Sequence, residues 1–310
     1  MRQINQDKKT KGYLALATTC IVWGTTWVAS KVGVQQMPAL QMASIRQLLG
    51  GLSFVLFFML YRNMPLPTLK QFRWIAVMSV LMFVCANGLS TWSLKYIPTG
   101  LSSLIGALYP LSVVIIERLF FKGIKMTILT FIGLFLGLTG VAIVFYESAF
   151  ENLTPNFILG LSLSIFAMLC WSVGTIFLSR NKANLNPYYG TGWQMLISSV
   201  ILFFMAKLTQ PTIALSAISL TGWLAIAYLV VFGSIVAFIA FIYSMKVLPA
   251  AISSLYAYIN PLVAMTVAAI LLNEHLTINI LWGSIVTLIG VYLVNLSSKR
   301  NQKIKIESEQ

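Results

Sequence analysis

Charge is scarce in this sequence, and acidic charge is the scarcest. Charged residues make up 9% of the 310 positions, whereas a soluble domain carries about 25%. Hydrophobic residues make up 58%, and the mean hydropathy is +0.86. A soluble fold is therefore excluded, and we expect an all-α integral membrane protein in contact with a lipid bilayer.

The lack of acids and histidines also argues against an enzyme. The single aspartate lies in the N-terminal tail, and His275, the single histidine, ends a predicted span, so no catalytic triad or HExxH zinc motif can form. Cys20, Cys85 and Cys170 lie in apolar runs without CxxC spacing, and we interpret them as packing residues. The sequence has no Walker A motif. We expect no enzymatic activity, no bound metal and no cofactor.

The charges that are present are mostly basic, with a formal net charge of +14. A basic protein can bind nucleic acid, but here Lys and Arg are scattered through short connections and both tails rather than gathered on one face. We interpret them as charges that orient the chain in the membrane, and we expect no nucleic-acid partner.

Long apolar runs fill most of the chain. A membrane-spanning helix needs about 20 mostly apolar residues. Segments that meet this requirement are 13–34, 40–61, 73–95, 99–120, 126–146, 157–179, 188–208, 220–244, 250–271 and 277–296. The connections between them are short, and the polar tails 1–12 and 297–310 are predicted to be disordered.

One motif occurs twice. Residues 95–111, KYIPTGLSSLIGALYPL, match residues 246–262, KVLPAAISSLYAYINPL, without a gap, and the match includes both prolines and the Ser-Ser pair. Such a match indicates an internal duplication. Nearer the start of each half the separation is 148 residues, which pairs Trp23 with Trp171 and Arg46 with Gln194.

The distribution of basic residues predicts the topology. With the N-terminus in the cytoplasm, most Lys and Arg residues fall on the inner side, as the positive-inside rule requires. Because each half has an odd number of spans, the second half must lie upside down relative to the first. We predict two inverted five-helix repeats, 13–146 and 157–296, joined by an acidic loop at 147–156. Both tails are expected on the cytoplasmic side of the cell membrane, whether inner or plasma.

Three motifs carry a resemblance to a known family: Trp-Gly-Thr at 23–25, the Ile-Pro…Ser-Ser-Leu…Tyr-Pro pattern of 97–110, and Leu-Pro…Ser…Asn-Pro-Leu at 248–262 followed by Asn-Glu at 273–274. With these, the chain resembles the EamA-type branch of the drug/metabolite transporter superfamily over about residues 13–296. The resemblance implies ten transmembrane helices in two inverted five-helix repeats, with helices 1, 3, 4, 6, 8 and 9 around the transport path.

The chain departs from the pattern of that family at one acidic position. The family usually has a glutamate just past helix 4, as Glu274 stands past helix 9. The matching position here is Gly123, and the nearest acid, Glu117, lies earlier, still within the predicted span. A shared role for the two glutamates is therefore not expected.

Polar groups inside a membrane are costly, so they are candidates for the transport path. Arg46 lies roughly 9 Å below the end of its span and could bind a substrate carboxylate or phosphate as a permanent cation. Alternatively, its long side chain could reach the lipid headgroups. Gln194 occupies the matching position in the second half.

Aromatic and amide side chains complete the predicted site. Trp23 and Trp171 lie near mid-span, where they could face each other across a cavity and stack on a ligand, or simply pack between helices. The remaining predicted substrate contacts could instead hydrogen-bond neighbouring helices; they are Asn87, Tyr109, Tyr256 and Asn260.

Small residues indicate where helices approach closely. Gly133-x3-Gly137 and the adjacent Gly50 and Gly51 would allow such contacts. They could also support a homodimer, although packing within the chain is the simpler interpretation.

The favoured function is a secondary-active or facilitative transporter that exports small organic metabolites, such as amino acids or related compounds, by alternating access. The alternative is a translocase for lipids or lipid-linked sugars. That function would require a lateral groove and a basic site for the headgroup, and Arg46 alone is the basis for it.

Overall fold

A computed structural model describes residues 6–121, 127–152, 154–180, 185–248, 252 and 255–308. Over these residues the chain is helical and contains no strand. Ten long helices follow one another: α1 (Gln6–Gln36), α2 (Ala39–Arg62), α3 (Leu69–Ser93), α4 (Thr99–Ala107 and Tyr109–Phe121), α5 (Ile128–Asn152), α6 (Pro155–Arg180), α7 (Pro187–Thr209), α8 (Leu220–Val247), α9 (Tyr256–Leu272) and α10 (Ile278–Ser308).

The helices have the length and composition of membrane spans. Eight of those described are long and apolar enough to cross a bilayer, and α5 and α9 contain shorter apolar stretches, Ile128–Val144 and Tyr256–Leu272. The first residues of the predicted ninth span, including Pro249, Ser253 and Ser254, lie outside the described residues. The chain is an all-α, multi-pass membrane protein, as the composition predicts.

Three segments predicted to be irregular are helical. The helix α1 begins at Gln6, within the predicted tail 1–12, and α10 continues to Ser308, through most of the predicted tail 297–310. The predicted loop 147–156 is helical up to Asn152. Hydropathy marks where a helix leaves the lipid, whereas a helix ends where its backbone pattern is interrupted. Gln, Lys and Glu are good helix formers, and none of these segments contains a proline before Pro155.

Helices α5 and α10 cross at glycines from both halves. Gly140 lies against the backbone of Gly283, and Gly133 lies against that of Gly290, so a side chain at any of the four would collide with the facing helix. Residue numbers rise along α5 as they fall along α10, which makes the helices antiparallel. Because α5 and α10 are matching helices, the two halves are inverted relative to each other.

Helices α2 and α7 form a second antiparallel pair of matching helices. The Ser44 hydroxyl donates to the Ser199 carbonyl oxygen at 2.8 Å, and Gly51 lies against Gly192 and Leu196. The small residues Gly51 and Gly133 thus serve packing within the chain.

The other six helices pack mainly across the boundary between the two halves. Helix α1 packs on α8 and α9 of the second half, and α6 packs on α3 and α4 of the first, which is the same arrangement under the repeat. The repeated motif is placed accordingly. Lys95 follows Leu94, which contacts Lys31 near the end of α1. Lys246 precedes Val247 and Leu248, which pack on Gly12 near its start. The two lysines therefore lie at opposite ends of the bundle, as predicted.

Helices α3 and α8 share an irregularity that the sequence patterns do not predict. Each begins at a hydroxyl N-cap, Thr68 and Ser219, in matching positions of the repeat. Each then widens into a π-helical segment, Ser79–Gly88 in α3 and Leu229–Val236 in α8. π-Helical turns are rare and often lie at functional sites.

The two intramembrane prolines have different effects. Helix α4 is interrupted at Leu108, just before Pro110, because proline cannot donate the backbone hydrogen bond that would continue the helix. Helix α9 continues through Pro261. The matching residues Tyr109 and Asn260 therefore stand on differently shaped helices.

Candidate functional site

A cavity of about 170 Å³ lies between the two halves, and we call it the central cavity. A dry cavity of about 150 Å³ in another protein accommodates benzene, so this one has room for the body of a small organic molecule. Its walls come from α1, α3, α4, α6, α8 and α9, the helices that the resemblance implies, and α2 contributes Arg46. Seven of the eight predicted site residues line it: Trp23, Arg46, Asn87, Tyr109, Trp171, Tyr256 and Asn260.

Arg46 is the charged residue of the cavity wall. It is 6% exposed, and its Nε donates a 3.1 Å hydrogen bond to the Ser234 hydroxyl in the π-helical segment of α8. The guanidinium packs against Gly233, where the absence of a side chain leaves space for it. No acidic residue lines the described cavity. Arg46 therefore presents a buried positive charge without a carboxylate partner, rather than reaching the lipid headgroups.

Trp23 is held on the same segment of α8. Its indole Nε1 donates to the Gly233 carbonyl oxygen at 3.3 Å, and its ring lies 5.2 Å from that of Phe238 and 5.4 Å from that of Tyr256, edge to face in both cases. These contacts fix the orientation of the ring and give the cavity an aromatic wall.

Two tyrosines from different halves meet at one side of the cavity. The Tyr256 hydroxyl donates to the Tyr109 hydroxyl at 3.2 Å, and the rings stack with centroids 6.3 Å apart. Tyr256 also belongs to an apolar cluster with Leu16 and Leu248. The pair therefore links α4 to α9 at the end of the cavity nearest the start of α1.

The two asparagines contribute amide groups. Asn87, in the π-helical segment of α3, lines the cavity and accepts a 3.0 Å hydrogen bond from Gln47 Nε2 at its Oδ1. Asn260 lines the opposite half of the cavity, and its Oδ1 is buried without a hydrogen-bond partner. Unpaired buried oxygens are uncommon.

Trp171 and Gln194 are placed differently from each other. Trp171, the repeat partner of Trp23, lines the cavity from α6 and packs against the apolar cluster that contains Met82 and Phe83. Gln194 is buried on α7 but does not belong to the cavity wall. The structure thus brings both tryptophans to one cavity. Gln194 lies outside the cavity wall, although its counterpart Arg46 is part of it.

Several lining residues were not singled out by the sequence. Thr26 and Ser30 lie one and two turns beyond Trp23 on α1, and Ser164 lies two turns before Trp171 on α6. Ser164 is hydrogen-bonded to Ser102 at 3.2 Å. Their spacing from the two tryptophans by three or seven residues was the available signal, because such residues share a helix face.

An all-α membrane protein whose inverted halves share one buried cavity has the architecture of a membrane transporter. Comparison with known proteins agrees with this class. The chain belongs to the EamA-like transporter family, which matches residues 10–146 and 158–296.

Similar proteins come from several organisms. The inner membrane transporter YedA of Escherichia coli strain K12 is 31% identical over 91% of this chain and 90% of its own length. The transporter YvbV of Bacillus subtilis is 28% identical over 98% of this chain and 97% of its own length. A solved crystal structure has a TM-score of 0.66 over 94% of this chain and 98% of that chain at 18% identity, which shows a common fold.

Proposed function

We propose that this transporter is a secondary-active or facilitative carrier that exports small organic metabolites, amino acids or related compounds, by alternating access. The substrate would occupy the central cavity while the two inverted halves rock about it. We further propose that both termini are cytoplasmic, in agreement with the distribution of Lys and Arg.

The buried guanidinium of Arg46 is the observation that carries this proposal. Burying a charge is costly unless an opposite charge or good hydrogen bonds compensate for it. Arg46 donates to the Ser234 hydroxyl behind it, and no carboxylate lines the described cavity wall. A substrate carboxylate would supply the missing charge through two parallel hydrogen bonds, the geometry for which guanidinium groups are suited.

The rest of the wall suits the apolar part of such a solute. Trp23, Trp171, Phe238 and Tyr256 present aromatic surface, and the cavity volume of about 170 Å³ limits the substrate to a small molecule. A phospholipid with two acyl chains does not fit within this volume, which is why we favour a small solute over a lipid.

Uptake into inside-out membrane vesicles tests the proposal. Radiolabelled amino acids and their 2-oxo acids would be offered to vesicles with the wild-type chain, with Arg46→Gln, or with Lys207→Gln as a control that removes an exposed lysine. We expect Arg46→Gln to reduce uptake of carboxylate substrates at least about tenfold, because a buried charged hydrogen bond is lost. Lys207→Gln should leave uptake within about twofold of wild type.

A second variant separates the roles of the wall residues. Trp171→Ala should weaken uptake of aromatic solutes more than that of alanine, because it removes stacking surface. Undiminished uptake in both Arg46→Gln and Trp171→Ala would contradict the assignment of the cavity. Movement of a fluorescent phospholipid between leaflets, without solute uptake, would favour the translocase instead.

A further inference from the structure

The turn between α3 and α4, residues 94–98, is held from both sides by opposite charges. Lys31, on α1, bonds within the turn, and Glu274, just past the end of α9, bonds to the first residues of α4 that follow it. Neither residue lines the central cavity. Both lie at the end of the bundle that carries Lys95.

Glu274 replaces a missing helix cap. Helix α4 begins after Pro98, whose side chain makes no capping hydrogen bond. The Glu274 carboxylate instead accepts the Thr99 amide at 2.9 Å and the Gly100 amide at 3.3 Å. Free amides and the positive end of the helix dipole favour a carboxylate there. A residue of α9 thus fixes the start of α4.

Lys31 interacts with backbone carbonyl groups at the end of α3. Its ammonium group donates to the Leu94 carbonyl oxygen at 2.6 Å and to the Ile97 carbonyl oxygen at 2.9 Å. Carbonyls at a helix C-terminus attract a cation. Lys31 and Glu274 also attract each other electrostatically. Four charge-assisted hydrogen bonds therefore join α1, α3, α4 and α9 at this end.

These contacts lie between two cavities. The central cavity includes Ser30 and Ser102 in its wall. A second cavity of about 490 Å³, which we call the end cavity, is lined by their neighbours Lys31 and Leu101, and by Glu274. The two cavities therefore have α1 and α4 as common walls, and Lys31 and Glu274 stand on the side of the end cavity.

Neither charge has a charged counterpart at the matching position of the other half. At the separations that relate the two halves, Lys31 corresponds to Ser179 and Glu274 to Gly123. Ser179 uses its hydroxyl within its own helix, donating to the Ile176 carbonyl oxygen at 2.8 Å, and Gly123 lies outside the described residues. The other end has an ion pair of its own, Glu117 with Arg180, but at positions that do not match Lys31 and Glu274.

We propose that Lys31 and Glu274 form a gate between the central cavity and the end cavity, which opens when Glu274 leaves the start of α4 and Lys31 leaves the end of α3. This inference rests on the proposed transport function for its purpose, but the gate itself can be tested without a substrate. Glu274 and Lys31 act through the positions of α3 and α4; they line the end cavity but not the central cavity.

Thiol accessibility measures the opening of the gate. In a full-length chain with Cys20, Cys85 and Cys170 replaced by alanine, Ser90→Cys places a thiol in the central cavity. A membrane-impermeant methanethiosulfonate reagent is applied to proteoliposomes from each face in turn. Lys95→Cys, in a separate sample, identifies the face that carries the gate.

We expect Glu274→Gln to increase labelling of Ser90→Cys from the Lys95 face by about tenfold. Thr99 and Gly100 donate to different carboxylate oxygens, and glutamine replaces one of these acceptors by an NH₂ donor and removes the charge. Lys31→Met should increase labelling in the same direction. Glu117→Gln is the matched control, since it makes the same chemical change at a partly exposed ion pair with Arg180, 3.2 Å long. Its labelling rate should stay at that of the parent.

Three results would overturn the gate: unchanged labelling in both Glu274→Gln and Lys31→Met, an equal increase in Glu117→Gln, or an increase confined to the opposite face. Thermal unfolding of each variant shows whether it remains folded, and Glu274→Asp, which keeps the charge, should restore part of the protection. If labelling changes as expected but no solute is ever transported, the gate stands and the proposed function fails. If a solute is transported but labelling is unchanged, the proposed function stands and the gate fails.

Discussion

Matching helices of the two halves form both the crossing of α5 with α10 and the walls of the central cavity. At the crossing the matching residues are alike, whereas in the cavity several of them differ. At the crossing, Gly140 faces Gly283 and Gly133 faces Gly290, so each half contributes the same residue type. At the cavity, Tyr109 corresponds to Asn260, and Arg46 lines the wall while its counterpart Gln194 does not.

The difference shows where packing requires the two halves to have the same residues. Two helices that touch backbone to backbone leave no room for a side chain in either of them. Cavity walls have free volume, so their side chains can differ without disturbing the fold. Symmetry in this protein is therefore a property of its scaffold, while the polar groups of the cavity wall come mainly from the first half.

The largest expected effect tests the symmetric part. Gly140→Leu and Gly290→Leu should each lower the free energy of unfolding by about 3 kcal/mol or more, because each forces a side chain into the facing backbone. Ala142→Leu, at an exposed position of α5, is the control and should change it by less than about 0.5 kcal/mol. Denaturant titration in mixed micelles measures these values. A large effect at one glycine and none at the other would contradict the symmetric crossing.

A smaller effect is expected where the halves meet asymmetrically, at the Tyr109–Tyr256 hydroxyl pair. Tyr109→Phe and Tyr256→Phe should each cost about 2 kcal/mol of unfolding free energy, because each leaves the other hydroxyl buried without its partner. The double variant should cost clearly less than the sum of the two, and a double-mutant cycle measures this coupling. Tyr61→Phe, at a 78% exposed position, is the control. Additive costs would show that the hydroxyls do not interact.

The smallest effects concern the matching N-caps of α3 and α8. Thr68→Ala should cost up to about 1 kcal/mol, because the Thr68 hydroxyl accepts the Gln71 amide. Ser219→Ala should cost somewhat more. Ser219 caps Gly222 at 3.1 Å and donates to Gln36 of another helix at 2.8 Å, whereas both bonds of the Thr68 hydroxyl are longer and go to Gln71 of its own helix. The same micelle titration measures both. Equal costs, or a larger cost at Thr68, would show that the bond to Gln36 adds nothing.

Much of the architecture could be predicted because it depends on features that recur in the sequence. The paired prolines and the Ser-Ser pair revealed the duplication, and the small residues Gly51 and Gly133 indicated close helix contacts. The ends of α1, α5 and α10 could not be found in the same way, because hydropathy responds to the bilayer and not to the helix backbone.

Matching positions predicted the location of some site residues but not of others, for a physical reason. Trp23 and Trp171 are matching residues and both reach the cavity. Arg46 and Gln194 also match, yet the space beside Arg46 exists because Gly233 lies opposite it. A residue in another helix therefore decides whether a matching position faces the cavity. Sequence separation alone carries no information about that neighbour.

The π-helical segments of α3 and α8 have a consequence for the reading of any related sequence. A π-turn uses more residues than an α-turn, so a helical wheel drawn at 100° per residue from Leu69 loses its phase within Ser79–Gly88. Side chains beyond that segment, such as Ser90 and Leu94, then point in directions that the wheel does not assign to them. Amphipathic analysis of these two helices must be restarted after each wide turn.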